Sequence, residues 1–398
     1  MKYYLAESPV AAGKTVVLDD MILTKDLPTT AGSKMLEGYM SLFDAEVVNR
    51  LKDAGYAVCG KANVGEMCID LLGETSAFGA CTENGALVGA SAALVRDGKA
   101  DVAIGLDAVG TPRRAAALAD VVCVKPTYGT VSRFGTVSIA CSGETVTVTA
   151  KTVEAAREAL AAIAGHDAKD GTSLDDASCQ KVFAAPEKAS RVAVAKSITA
   201  SADDAVQAKV AAYRKMLEAQ GITVEEIDDS LLCAAKAAWN ILMSAELCNN
   251  VSRYDGVKYG YRTKNYKTID ELYTNSRTEA FGKLLKAAIL FGSETLSTEN
   301  YMKVYDKALR TRRVIAEKLA EILASYDAIL LPASSALAFV PEDTAGKYTK
   351  AYDENLYTAP ASITGLPAVA FGGVQLIGKA FDESKLYYLA EIYEKEAK

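Results

Sequence analysis

The residues with the clearest chemical potential lie in Asp101–Arg114, DVAIGLDAVGTPRR. An apolar run from Val102 to Leu106 reads as a buried strand that breaks into a small-residue turn at Ala108–Gly110. Thr111 stands at the tip, followed by Pro112, Arg113, Arg114 and an alanine-rich segment. A strand that delivers a hydroxyl onto a tight turn is one way to present a nucleophile. The same pattern suits a strand-to-helix connection capped by Thr111. The two arginines could meet an anion, but local pairing with Asp107 is the expectation. Asp19-Asp20 offers two carboxylates, too few ligands for a metal site, so no metal is expected. The single histidine, His166, follows Gly165 in a loop and reads as structural, which removes most imidazole mechanisms.

The elements that must position these groups alternate between strand and helix. Thr15–Leu18 is a short strand ending at Asp19. Asp44 can cap a helix through Val47, Val48, Leu51 and Ala54, closed by Gly55. Tyr56–Cys59 and Val121–Val124 are apolar strands, and Ala90–Arg96 is a short helix. Thr152 can cap a helix running to Gly165, and Arg191–Ala195 is a further strand. Val206, Val210, Tyr213 and Leu217 mark one face of a helix before the strand Ile222–Glu226. Residues 232–325 read as a helical section around the only tryptophan, Trp239. Strand then returns at Tyr326–Leu331 and Pro367–Ile377, before a last helix capped by Asp382. The fold class this implies is α/β, with a large mixed, mostly parallel sheet covered by helices on both faces. No segment reads as a boundary, so one domain over 1–398 is expected.

Composition narrows the function classes. The 398 residues are 50% hydrophobic and 24% charged, enough for a large core and unlike a disordered chain. A net charge of −7 argues against a protein built to grip phosphate backbones, so no direct nucleic-acid contact is expected. No apolar run approaches bilayer length, and MKYYLAESPV lacks a signal-peptide pattern. Eight scattered cysteines without a C-x-x-C pair suit reduced thiols in a cytoplasmic protein.

Ordered segments along the chain carry a resemblance. TKDLPTTAGSKMLEGY, GKANVGEM, ETSAFG, VKPTYGTVSRFG and AGHDAKDGTSL are followed by RYDGVKYGYR, SRTEAFG, ENLYTAPASITGLPAV and VQLIGKAFDESKLY. On these the chain resembles the amidase signature family, and within it the A subunits of amidotransferases that act on Glu-tRNA(Gln) or Asp-tRNA(Asn). The resemblance implies the amidase fold, no cofactor, and a protein partner, either an amidotransferase-type subunit or an intact amidase paralogue. It also implies a mechanism in which a serine nucleophile passes its proton through a second serine, in a cis peptide, to a neutral lysine.

The matching positions depart from that mechanism. Leu18-Asp19-Asp20-Met21 stands where the family has Leu-Lys-Asp-Asn, so Asp19 replaces the lysine. Gly85-Ala86-Leu87-Val88-Gly89-Ala90-Ser91 stands for Gly-Gly-Ser-Ser-Gly-Gly-Ser, so Leu87 replaces the relay. Asp107-Ala108-Val109-Gly110-Thr111-Pro112-Arg113 stands for Asp-Thr-Gly-Gly-Ser-Ile-Arg, so Thr111 replaces the nucleophile. Leucine can move no proton, and an unshifted aspartate with a pKa of about 3.9 is a weak base. Val109 would resist a positive φ, and Pro112 would bias Thr111 toward extended backbone. The pocket is expected to be formed by Val109, Gly110, Asp107, Arg113 and Asn355. Asn355 stands where those relatives carry a glutamine-holding aspartate, and Ala287 or Ala288 where they carry an arginine. These changes favour a non-catalytic amidase-like protein with a binding or regulatory role. The alternatives are a weak hydrolase using Thr111 with Asp19, Asp107 or Glu144, and a working glutamine-hydrolysing subunit.

Overall fold

The computed structural model describes residues 3–9, 13–342 and 346–397. Its strands in chain order are β1 (Tyr4–Glu7), β2 (Lys14–Asp19), β3 (Tyr56–Ala62), β4 (Thr82–Glu83), β5 (Ala86–Leu87), β6 (Val102–Asp107) and β7 (Val122–Lys125). They continue with β8 (Thr145–Ala150), β9 (Arg191–Ala195), β10 (Thr223–Ile227), β11 (Ala328–Pro332), β12 (Ala368–Phe371) and β13 (Val374–Gly378). Eleven of them form one sheet, ordered β1-β3-β2-β6-β8-β7-β12-β13-β11-β9-β10, while β4 and β5 make a separate ribbon.

The α/β class and the large mixed sheet are as expected. Parallel pairing is concentrated in two wings, β3-β2-β6 and β11-β9-β10. Between them β8, β7, β12 and β13 run antiparallel to their neighbours. The residue pattern gave no sign of β8, although Thr145–Ala150 is buried along its whole length.

The helices that bear on the site are α1 (Glu46–Asp53), α2 (Ala90–Arg96), α3 (Thr111–Ala119) and α4 (Val153–Ile163). Thr152 caps α4 as expected, accepting from the Ala155 N–H at 3.2 Å. Asp44 does not cap α1. Ala45 occupies that position, and the Asp44 carboxylate instead accepts from the Lys25 N–H and from Lys52 Nζ, each at 2.8 Å. The face Val206, Val210, Tyr213 and Leu217 is buried as expected, on the helix Asp204–Ala219. The expected strand over 367–377 is a hairpin, β12 to β13, turning at Gly372 and Gly373, both with positive φ.

The helical section supports the turn after β6. Trp239, fully buried on the helix Ala234–Asn250, donates its indole N–H to the Ala108 carbonyl at 2.8 Å. Its ring lies so close to Gly143 that a Cβ there would stand 2.2 Å from it. A large aromatic with one satisfied polar handle thereby fixes the backbone from which Thr111 projects.

Candidate active site

β6 is buried throughout and ends in Asp107, so the turn that follows starts from a rigid position. The left-handed residue in that turn is Gly110, with φ 86°; Val109 is not required to adopt one. A Cβ on Gly110 would stand 2.3 Å from Thr358, so glycine is needed for space as well as conformation. Gly110 occupies the helix cap, and Thr111 is the first helical residue of α3. Thr111 is therefore neither the cap nor extended. Pro112 falls in the first turn of α3, where a missing N–H leaves no helical bond unmade.

Thr111 and Asp19 come together. Both line a chamber of about 20 Å³ with Asn63, Gly65, Cys68, Leu72, Ser91 and Pro112 among its walls. β2 and β6 lie side by side and parallel, which sets the end of β2 against Gly105. A Cβ at Gly105 would be 2.6 Å from Asp19 Oδ2, so that glycine makes room for the carboxylate. Burial pushes the Asp19 carboxyl up to about 7, reinforced by the Asp20 charge and opposed by the Ser91 hydroxyl beside it and by the Lys61 charge. Asp19 is thus not the unshifted carboxylate that its sequence context suggests. Its Oδ1 has no hydrogen-bond partner among the described residues. The Thr111 hydroxyl donates to the Asp70 carbonyl at 2.8 Å.

Leu87 does not join them. It sits on β5, in a ribbon turned by Asn84 and Gly85, both with positive φ. Its N–H donates to the Phe339 carbonyl at 2.6 Å, and its side chain packs among Leu71, Leu72, Ala90 and Ala115. It lines a neighbouring cavity of about 290 Å³ with Leu118, Leu337 and Arg96. All described peptide bonds are trans.

The expected pocket residues, Val109, Gly110, Asp107, Arg113 and Asn355, are not among those lining the chamber. Asp107 and Arg113 are fully buried and paired, Nε to Oδ2 at 2.7 Å. Arg113 also reaches Gln375 Oε1 at 2.8 Å, Ser362 Oγ at 2.9 Å and the Thr358 carbonyl at 3.2 Å. The second oxygen of Asp107 accepts from the Gly110 N–H at 2.9 Å, which occupies a backbone donor of the turn. The Val109 carbonyl accepts from Thr358 Oγ1 at 2.8 Å. Asn355 donates to Asn240 Oδ1 at 2.6 Å, and Ala288 is buried in the core. Glu144 accepts from the Ile139 and Ala140 N–H groups at 2.7 and 2.9 Å, away from the chamber. Ser91 is a member of the site that the sequence reading did not single out. It holds the last serine position of the glycine-serine match, and that match is the signal that could have found it.

The fold is a large mixed α/β sheet with a glycine turn leading from β6 into α3. The family model "Amidase" matches residues 2–387, and the chain belongs to that family. It is 35% identical to the A subunit of glutamyl-tRNA(Gln) amidotransferase from Latilactobacillus sakei, covering 96% of this chain and 83% of the relative. The corresponding protein of Listeria monocytogenes is 36% identical, covering 97% and 84%. The crystal structure of the Thermotoga maritima counterpart superposes with a TM-score of 0.83 at 30% identity, covering 99% of this chain and 87% of that one.

Proposed function

We propose that this chain is a non-catalytic member of the amidase family with a binding or regulatory role in a protein assembly. The observation that carries the reading is the chamber at Thr111. Its volume of about 20 Å³ accommodates one water-sized group, and not an amide with its flanking atoms. Three further features support it. Leu87 has no transferable proton and lies in an apolar cluster. The Thr111 proton is directed at a backbone carbonyl rather than at a base. The Gly110 N–H, a candidate oxyanion donor, is committed to Asp107. A weak hydrolase that uses Thr111 would need this chamber to widen before an amide could enter.

Similarity along nearly the whole chain to proteins named as subunits supports a protein partner of the amidotransferase type. No helix of the described residues is long and apolar enough to cross a membrane. The test is ammonia release from glutamine, asparagine and simple amides, with the wild type compared against Thr111→Ala. Equal, background-level release is expected. A rate that collapses in Thr111→Ala would sink the reading.

A further inference from the structure

Two loops far from the chamber meet in a face that is both apolar and positively charged. Leu42 is the most exposed large apolar side chain among the described residues, at 91%, and Met40 beside it is 46% exposed. Their loop packs against a second one over 254–262. The Tyr39 and Tyr259 rings lie 5.8 Å apart, and the Tyr261 N–H donates to the Met35 carbonyl at 2.6 Å. A Cβ at Gly260 would stand 2.3 Å from that carbonyl, so the close approach of the loops needs glycine. Val257, 42% exposed, adds a further apolar side chain on the second loop.

Residues 253–267 carry five cations, Arg253, Lys258, Arg262, Lys264 and Lys267, against one carboxylate, Asp255. All five are exposed, and none forms an ion pair among the described residues. Asp255 accepts from the Val257 N–H at 2.8 Å. Surface charge elsewhere is balanced: on the helix Asp306–Leu323, Arg310, Arg313 and Lys318 each meet a carboxylate one turn away. Unpaired positive charge concentrated in a chain of net charge −7 calls for an acidic counterpart. The tyrosines of the second loop are already engaged. Lys34 Nζ sits 4.4 Å over the Tyr261 ring, Arg262 stands 5.5 Å over Tyr266, and Tyr259 is flanked by Tyr39 and Tyr254. Nucleic-acid bases need free ring faces to stack on, whereas Met40, Leu42 and Val257 suit apolar side chains of a protein.

We propose that the face formed by loops 39–43 and 254–267 docks an acidic amphipathic segment of a partner protein. Its apolar side chains cover Met40, Leu42 and Val257, and its carboxylates meet Lys258 and Arg262. The proposal rests on the binding role stated above and names the surface that serves it. Its test reads association and not ammonia release, so the two can fail separately.

The test is fluorescence anisotropy of labelled probes titrated with the full chain. The probes are a helical peptide with Glu on one face and Leu and Phe on the other, the same peptide with Ser replacing Leu and Phe, and oligouridylate. The peptide with the apolar face is expected to bind saturably and to weaken as salt rises. Lys258→Glu combined with Arg262→Glu should lower its affinity about tenfold or more. Leu42→Ser should lower it about tenfold. All three side chains are exposed, so unfolding midpoints should hardly move and confirm that the variants are folded. No binding of the apolar-faced peptide, or equal binding of the serine peptide, would overturn the proposal. So would tighter binding of oligouridylate, or an unchanged affinity in either variant.

Discussion

Two groups of buried charge flank the turn Ala108–Gly110, and they are completed to different degrees. Around Arg113, the carboxylate of Asp107, the Gln375 amide, the Ser362 hydroxyl and the Thr358 carbonyl all find partners. Around Asp19, one carboxylate oxygen has no partner among the described residues, and burial pushes the group up to about 7. The first cluster joins β6 to the helix Asn355–Thr364 and to β13, so it holds together elements distant in sequence. The second joins less and lines a chamber. The network around the turn is fully paired, and the unfinished polar group lies in the chamber that Thr111 also lines.

The largest effect expected from breaking this contrast is at Arg113. Arg113→Met leaves Asp107 buried without its ion partner and should cost about 3–5 kcal/mol, read by denaturant unfolding. Leu87→Ser places a hydroxyl in an apolar cluster and removes packing volume. A loss of ~2–3 kcal/mol is expected, with no gain of amide hydrolysis, because Asp19 and Thr111 line a different cavity.

Asp19 should behave in the opposite way to Arg113. Its folded-state pKa of about 7 is raised above the ordinary carboxylate value, so its contribution is fully present below the unfolded pKa and is lost as pH rises through about 7. Glu66, buried against Ser33 and Gly282 and also raised to about 7, adds in the same direction. Asp20 and Lys61 are the charged groups that face Asp19 most directly. The wild type should lose stability between about pH 4 and pH 7. Asp19→Asn should flatten that slope and gain about 2 kcal/mol at pH 8, checked by unfolding midpoints across the range. The smallest effect belongs to Thr111→Val, which gives up one hydrogen bond to the Asp70 carbonyl and should cost about 1 kcal/mol or less, read by the same unfolding midpoints.

Much of the fold is legible because periodicity and turn residues report local geometry. The α4 cap at Thr152, the buried face from Val206 to Leu217 and the strand into Asp107 each follow from residue spacing. β8 escapes such a reading because Thr-Val alternation looks half-solvated, yet Thr145, Thr147 and Thr149 are buried nearly as fully as the valines between them. Thr111 reads as a cap because hydroxyls favour that position, but the turn puts its left-handed residue, Gly110, at the cap and starts the helix one residue earlier, at Thr111 itself. The three departures from the resembled motifs, at Asp19, Leu87 and Thr111, are readable by type. Their separation is not, since whether Leu87 shares a cavity with Asp19 depends on packing between β5, α2 and α3. The raised pKa of Asp19 is hidden for the same reason, because burial is a property of the assembled chain.

If Thr111 carries no amide chemistry, adding amidotransferase subunits should not confer any. The most direct measurement is glutamine-dependent ammonia release by this chain combined with the remaining subunits of a relative's amidotransferase, the wild type compared with Thr111→Ala. Background release, identical in both proteins, is the predicted result. A release rate that depends on the Thr111 hydroxyl would contradict it.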